Sequence, residues 1–365
     1  MKIAKVTMDG YFNYGNVLQN YALNRILDRY GKTETIWLDP ANLLNKCWWP
    51  RPWRWNPIKF ARNPQRYINE IRKIPLETSK RSLIKSFCDR YINIRYDVDL
   101  STVADEYDYF VVGSDQVWNP NVVESDTLYS AYFLPFARPE QRISYAASIA
   151  TASLPERSKQ IFIDGVRGMK SLSVREDDGA RIVRELTGRK ASVNLDPTLL
   201  LTAEEWRQVA RRPTWLGNEP YLLTYLVTSP CPAVVSDIAA REGLKLICLP
   251  DPRVIEHYLI APEEWLYLID HATAMYTDSY HGTVFSIQFR TPFVVFESAQ
   301  EREGKVNSSR LDTILTTCAM TDRRCTQENG FVPRRSVFTE LPEANEFFAS
   351  GREQACQYIE RALNL

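Results

Sequence analysis

"AKVTMDGYFNYGNVLQNYAL" (residues 4–23) changes character twice along its length. Ile3 to Met8 reads as a short buried strand, and Gly10 to Gly15 as a turn of glycine, asparagine and aromatic residues. Val17, Leu18, Tyr21, Ala22 and Ile26 then recur at helical spacing. A strand-to-helix turn at the carboxyl edge of a parallel sheet is where α/β proteins hold ligands. Glycine there lets backbone approach a ligand closely, and a helix start offers unpaired N–H groups to an anion. The spacing is not G-x-G-x-x-G, so a dinucleotide fingerprint is not supported. A plain tight turn is the other reading.

The rest of the chain repeats this rhythm. Strands are expected at Lys2–Met8, Glu34–Leu38, Tyr107–Val112, Arg142–Ala147, Ser171–Val174, Tyr221–Val227, Lys245–Leu249, Ala274–Thr277 and Phe293–Phe296. Helices are expected at Asn16–Tyr30, Glu156–Met169, Asp177–Leu186, Ala203–Arg211, Ala233–Glu242 and Pro262–Asp270. Alternation of this kind points to an α/β fold with parallel sheets covered by helices on both faces. A chain of 365 residues exceeds one ordinary core, so two domains are expected. Asn194-Leu195-Asp196-Pro197 interrupts the rhythm, giving a first domain over 1–190 and a second over 191–340. The last helical stretch, 341–365, is long enough to cross back to the first domain.

Acidic and basic side chains balance at 45 each, so there is no global field to attract nucleic acid. The seven cysteines are scattered, with no C-x-x-C pair, which argues for reduced thiols and a cytoplasmic protein. No H-x-x-x-H, H-E-x-x-H or aspartate ladder is present, so neither a metal nor a resident cofactor is expected. Residues 40–70 form an insert, and within it 47–62 pack Trp48, Trp49, Trp53 and Trp55 among arginines and lysine. That mixture suits peripheral contact with the inner face of a membrane or the faces of sugar rings, or else an ordered loop capping a core.

Three further stretches carry chemistry. In "YDYFVVGSDQVWNP" (107–120) a buried strand ends abruptly at Gly113-Ser114-Asp115-Gln116. Asp115 there is a candidate proton acceptor for an attacking hydroxyl, or the cap of an Asx-type turn. In "AMYTDSYHGTVFSIQF" (274–289) a strand runs into an apolar helix, with Asp278 or Ser279 as N-cap and His281 in the first turn. The helix dipole at that place favours a neutral imidazole and attracts anions. Arg175 emerges at a strand end in "SLSVREDDGA", and Arg310 opens a helical pattern in "NSSRLDTIL". Guanidinium groups match phosphate and carboxylate in bidentate fashion.

"NYGNVLQNYAL", "FVVGSDQVWNP", "SVRE", "LDPTLLL", "TDSYHGTVFSI" and "NSSRL", in this order, resemble the polysaccharide pyruvyl transferase family. The resemblance implies two Rossmann-like domains facing across a cleft, a glycosyltransferase-B-like arrangement. It implies transfer of a pyruvyl group from phosphoenolpyruvate, as co-substrate, to a sugar in exopolysaccharide biosynthesis, giving a ketal. Arg175 matches the family's strand-end arginine, and His281 its histidine before glycine, here Gly282. Both are expected at the donor site with Ser279 and Arg310, His281 also in a catalytic role. Asn16, Gln19, Ser114, Asp115 and Gln116 are expected at the acceptor, a glycan or lipid-linked oligosaccharide. Family members often read Arg-x-His-Gly where this chain has Ser279-Tyr280-His281-Gly282. Serine cannot supply the missing charge, so Arg310 or another cation must substitute, or the donor differs. A nucleotide-sugar glycosyltransferase on the same architecture is the competing enzyme reading, and a glycan-binding module without turnover the non-enzymatic one.

Overall fold

The structure is a computed structural model that describes residues 1–8, 10, 13–38, 64–123, 125–151, 153–298, 301, 309–326 and 336–365. The Trp/Arg stretch 47–62 lies outside the described residues.

Two parallel sheets organise the chain. In the first unit the strands are β1 (Lys2–Val6), β2 (Lys32–Ile36), β3 (Ile94–Arg95), β4 (Tyr109–Val112) and β5 (Arg142–Ser144), in the order β3-β2-β1-β4-β5. A short parallel pair, β6 (Ser173–Val174) and β7 (Ser192–Val193), extends this sheet through single bridges Ile143–Ser171 and Ala147–Val174. The second unit has β8 (Tyr221–Tyr225), β9 (Lys245–Leu249), β10 (Ala274–Thr277), β11 (Phe293–Phe296) and β12 (Arg324–Cys325), ordered β12-β11-β10-β8-β9. Such strands are buried on both faces and therefore read as continuous apolar runs, as "FVVF" in β11 does. Even Lys5 in β1 is wholly buried, its ammonium donating to the carbonyl of Asn20 at 2.7 Å.

In each sheet the strand order reverses once, between β1 and β4 and between β8 and β10. Crevices open outside the carboxyl ends of strands at such points. Asn13 and the start of the helix Tyr14–Leu27 follow β1, Gly113–Gln116 follow β4, and Asp278, Ser279 and the start of the helix Tyr280–Phe289 follow β10. The two crevices face each other, as expected of a glycosyltransferase-B-like pair of Rossmann-like units. A continuous apolar core joins the units below the cleft, through Tyr14 and Leu18 on one side and Trp206, Trp265 and Phe285 on the other. Tyr14 stacks on Trp265 at 5.5 Å and donates its hydroxyl to the carbonyl of Ile260.

Several elements differ from expectation. β7 pairs with β6, so the first unit runs through Val193 rather than ending at 190. The ladder of β5 stops at Ser144, short of the expected Ala147, because Ala146 adopts a positive φ of 46°. Pro64–Tyr91 is a 28-residue helix that periodicity does not announce, since Pro75 interrupts its pattern. The C-terminal helix Ala344–Ala362 packs on the first sheet: Tyr358 donates to the carbonyl of Ser144 at 2.8 Å, and Lys170 to that of Ala362 at 2.6 Å. Among the described residues no helix is long and apolar enough to cross a membrane.

Candidate active site

The first unit supplies a wall of amides. Asn13 caps the helix Tyr14–Leu27, its side chain accepting from the Gly15 N–H at 2.9 Å. Asn16 Nδ2 donates to the carbonyl of Met8 at 2.9 Å and to Asp115 Oδ2 at 3.0 Å, tying the β1 turn to the β4 turn. Gln19 and Ser114 lie beneath these turns and are 0% exposed. Gln19 donates to Thr7 Oγ1 and accepts from the Ser114 N–H at 3.1 Å, while Ser114 Oγ donates to the carbonyl of Ala146. Both of these residues expected at the acceptor are buried and spend these hydrogen bonds on bracing the turn. Gly113, at φ 124°, passes so close to Tyr145 that a Cβ would sit 2.1 Å from the Tyr145 carbonyl oxygen. The following Asp115, at φ 58°, and Gln116 are partly exposed. Asp115 Oδ1 accepts from the N–H of the next residue, Gln116, at 2.9 Å, one residue short of the contact that defines an Asx turn.

The second unit supplies an ionisable ring. Asp278 accepts from the N–H groups of Val227 and Thr228 and from the Thr228 hydroxyl, which fixes the loop after β8. Ser279 is therefore the N-cap of the helix Tyr280–Phe289, accepting from the Gly282 N–H at 3.3 Å. Gly282 has its N–H so occupied, and a Cβ there would meet Thr277 Oγ1 at 2.5 Å. Its missing side chain lets the helix pack closely onto β10. His281 faces across the cleft: a Cβ built on Gly15 would lie 2.0 Å from its Nδ1. The glycine that opens the first helix is thus the space occupied by the histidine that opens the other.

Between the two walls lies a buried charge cluster. The Arg175 side chain is 2% exposed and donates from Nη1 to Asp196 Oδ2 at 2.5 Å. Its Nε, 3.9 Å from Glu176 Oε2, and its Nη2 have no hydrogen-bond partner. Unsatisfied buried donors of this kind ask for a ligand, since each costs about 1–3 kcal/mol when left bare. Glu176 is held by the Ile149 and Ala150 N–H groups and the Ser148 hydroxyl, all on Oε1. Asp196 accepts from the Thr198 N–H and hydroxyl on Oδ1. On Oδ2 it meets Arg175, Ser114 Oγ at 3.5 Å and His281 Nε2 at 3.8 Å. Burial alone would raise its carboxyl, but His281, Arg175 and Thr198 outweigh that and hold it far below the usual carboxylate range.

The Arg175 guanidinium lies 4.9 Å from the Tyr280 ring centre and that of Arg310 5.5 Å from it. Burial, and then the charge of Arg175, lower the guanidinium of Arg310 below its ordinary value, and Asp115 and Glu176 oppose this. A cavity of about 260 Å³ opens beside this cluster, lined among others by Arg175, Asn194, Asp196, Tyr280, Arg310 and Gln354. Arg175, Arg310 and His281 thus lie around Tyr280 and Asp196, and Asn16 and Asp115 approach them from the first unit. Asp196 and Tyr280 were missed. Asp196 stands in an Asp-Pro pair, which signals a capped turn, and it does cap the turn at Thr198.

The family model described as polysaccharide pyruvyl transferase matches residues 13–300. No curated protein matches the sequence. Among solved structures, UDP-N-acetylglucosamine 2-epimerase from Rickettsia bellii aligns over 100% of this chain and 97% of its own, at 9% identity and a TM-score of 0.49. UDP-GlcNAc 2-epimerase from Methanocaldococcus jannaschii aligns over 100% and 93%, at 12% identity and 0.45. An alpha-glucosyltransferase in complex with UDP aligns over 99% and 96%, at 9% and 0.44. Likeness at this level carries no inference about chemistry.

Proposed function

As the chain belongs to the polysaccharide pyruvyl transferase family, we propose that it transfers the pyruvyl group of phosphoenolpyruvate to two hydroxyls of one sugar in a cell-surface polysaccharide or its lipid-linked precursor. A proton adds to the methylene carbon of the donor, and a sugar oxygen bonds to the neighbouring carbon. Phosphate leaves with the electrons of its C–O bond, and the second hydroxyl takes its place to close the ketal. Of the two hydroxyl protons, one balances the methylene proton and the other leaves with phosphate. Such a site needs cations for a phosphate and a carboxylate, a proton donor and a grip on a diol.

The observation that carries this reading is Arg175, buried with Nε and Nη2 unpaired beside a cavity that Arg310 also lines. Two guanidinium groups at one ring offer the donor's two anionic ends separate partners. Arg310 takes the part for which Ser279 has no charge; Ser279 spends its oxygen on the helix cap. His281 is the proton donor to the methylene. Asp115, with Asn16 and Gln116 beside it, faces the acceptor and takes a hydroxyl proton. The test is phosphate release from phosphoenolpyruvate with a panel of oligosaccharide acceptors, the ketal methyl being read by NMR. The proposal expects acceptor-dependent phosphate and a new methyl signal, both lost in His281→Gln. Absence of both with every acceptor, beside turnover of a nucleotide-sugar, would contradict it.

A further inference from the structure

We propose that Asp196 is a positioning residue for His281: it keeps the proton of the neutral imidazole on Nε2 and leaves Nδ1, the edge packed against Gly15, without hydrogen. What that proton does rests on the function proposed above; where it sits does not.

Asp196 lies in the link between the two units and touches a residue of each. Its Oδ2 is 3.8 Å from His281 Nε2, and Nε2 is buried with no nearer partner. An ionised carboxylate only accepts, so a ring nitrogen facing it carries hydrogen. The surroundings keep this carboxylate ionised and stationary. Arg175 holds Oδ2, and two donors from Thr198 hold Oδ1 at 2.7 and 2.9 Å. The opposite edge of the ring, Nδ1, faces the position where Gly15 lacks a side chain. Tyr280 meets the ring edge-on at 5.1 Å, which limits its rotation. The arrangement has the logic of a carboxylate that orients a catalytic imidazole without reacting itself.

The experiment is nitrogen-15 NMR of the protein at alkaline pH, where neutral imidazole is the species observed. Three histidines are present, and the His281 signals are those lost in His281→Gln. The expected result is a protonated Nε2 and a bare Nδ1 in the wild type. Asp196→Asn, whose amide can donate to Nε2, should move the proton to Nδ1 and lower kcat for pyruvyl transfer by on the order of 10⁴-fold. A wild type with its proton on Nδ1, or a tautomer unchanged in a folded Asp196→Asn, would overturn the proposal. Should Asp196→Asn fail to fold, Thr198→Val removes one donor from Oδ1 and keeps the charge. It should give a mixture of tautomers, and a single unchanged one would count against the proposal. Because the tautomer is read without substrate, the expected pattern in a protein that does not use phosphoenolpyruvate would leave this inference standing and remove the function.

Discussion

The two strand-turn-helix joins that meet across the cleft are built alike and equipped differently. Each follows a central parallel strand, and each helix is capped by a side-chain oxygen, from Asn13 in one and Ser279 in the other. The first join then presents Gly15 and Asn16, the second Tyr280 and His281. One gives room and fixed amides, the other a titratable ring, and the ring fills the room. Neither brings a cation: Arg175 arrives from the end of β6 and Arg310 from the helix Ser309–Thr317. A chain whose charges balance thus gathers two arginines from two ends of the fold, with a buried carboxylate holding one of them.

The comparison breaks most severely at that tie. Arg175→Ala or Asp196→Ala strands a buried charge and should cost about 3–5 kcal/mol in urea unfolding, the double variant costing less than the sum. Additive losses would mean that the pair is not coupled. The same pair has a pH signature. The folded carboxyl of Asp196 is lowered, so its contribution is present above the ordinary carboxylate range, about 4, and is lost as pH falls below it. Stability curves from pH 7 to 3 should therefore fall less steeply in Asp196→Asn than in the wild type.

Next comes the contact between the joins. Gly15→Ala places a methyl within the His281 ring and should cost about 1–3 kcal/mol. His281→Ala should relieve that cost, which a double-mutant cycle reads as coupling. The caps sharpen the likeness instead. Asn13→Ala and Ser279→Ala should each cost about 1 kcal/mol in thermal unfolding, and a much larger loss on one side would undo the claim that the joins are alike. The smallest expected change is at Arg310. Its guanidinium is opposed by burial and by Arg175, so Arg310→Ala should leave the melting temperature unchanged or raise it while weakening phosphoenolpyruvate binding.

Much of this was legible in the residues. Glycine, asparagine and a restart of helical spacing mark the first join, and a strand-ending arginine or an early-turn histidine can be placed at a sheet edge from its neighbours alone. What could not be read is depth and partnership. Gln19 and Ser114 are polar, which suggests a ligand, yet the turn above them consumes their hydrogen bonds. Asp196 looks like a turn residue because it is one; its second oxygen meets Arg175 and His281 only after the units close. Tyr280 reads as helix filler until two guanidinium groups are seen beside its ring.

The most direct test of the donor pocket is calorimetric titration of the purified protein with phosphoenolpyruvate, beside the Arg310→Ala variant and a panel of nucleotide-sugars. The account predicts that phosphoenolpyruvate binds the wild type and binds Arg310→Ala at least about tenfold more weakly, as loss of one charge-assisted contact requires. Binding of a nucleotide-sugar with none of phosphoenolpyruvate, or equal affinity in the variant, would contradict it.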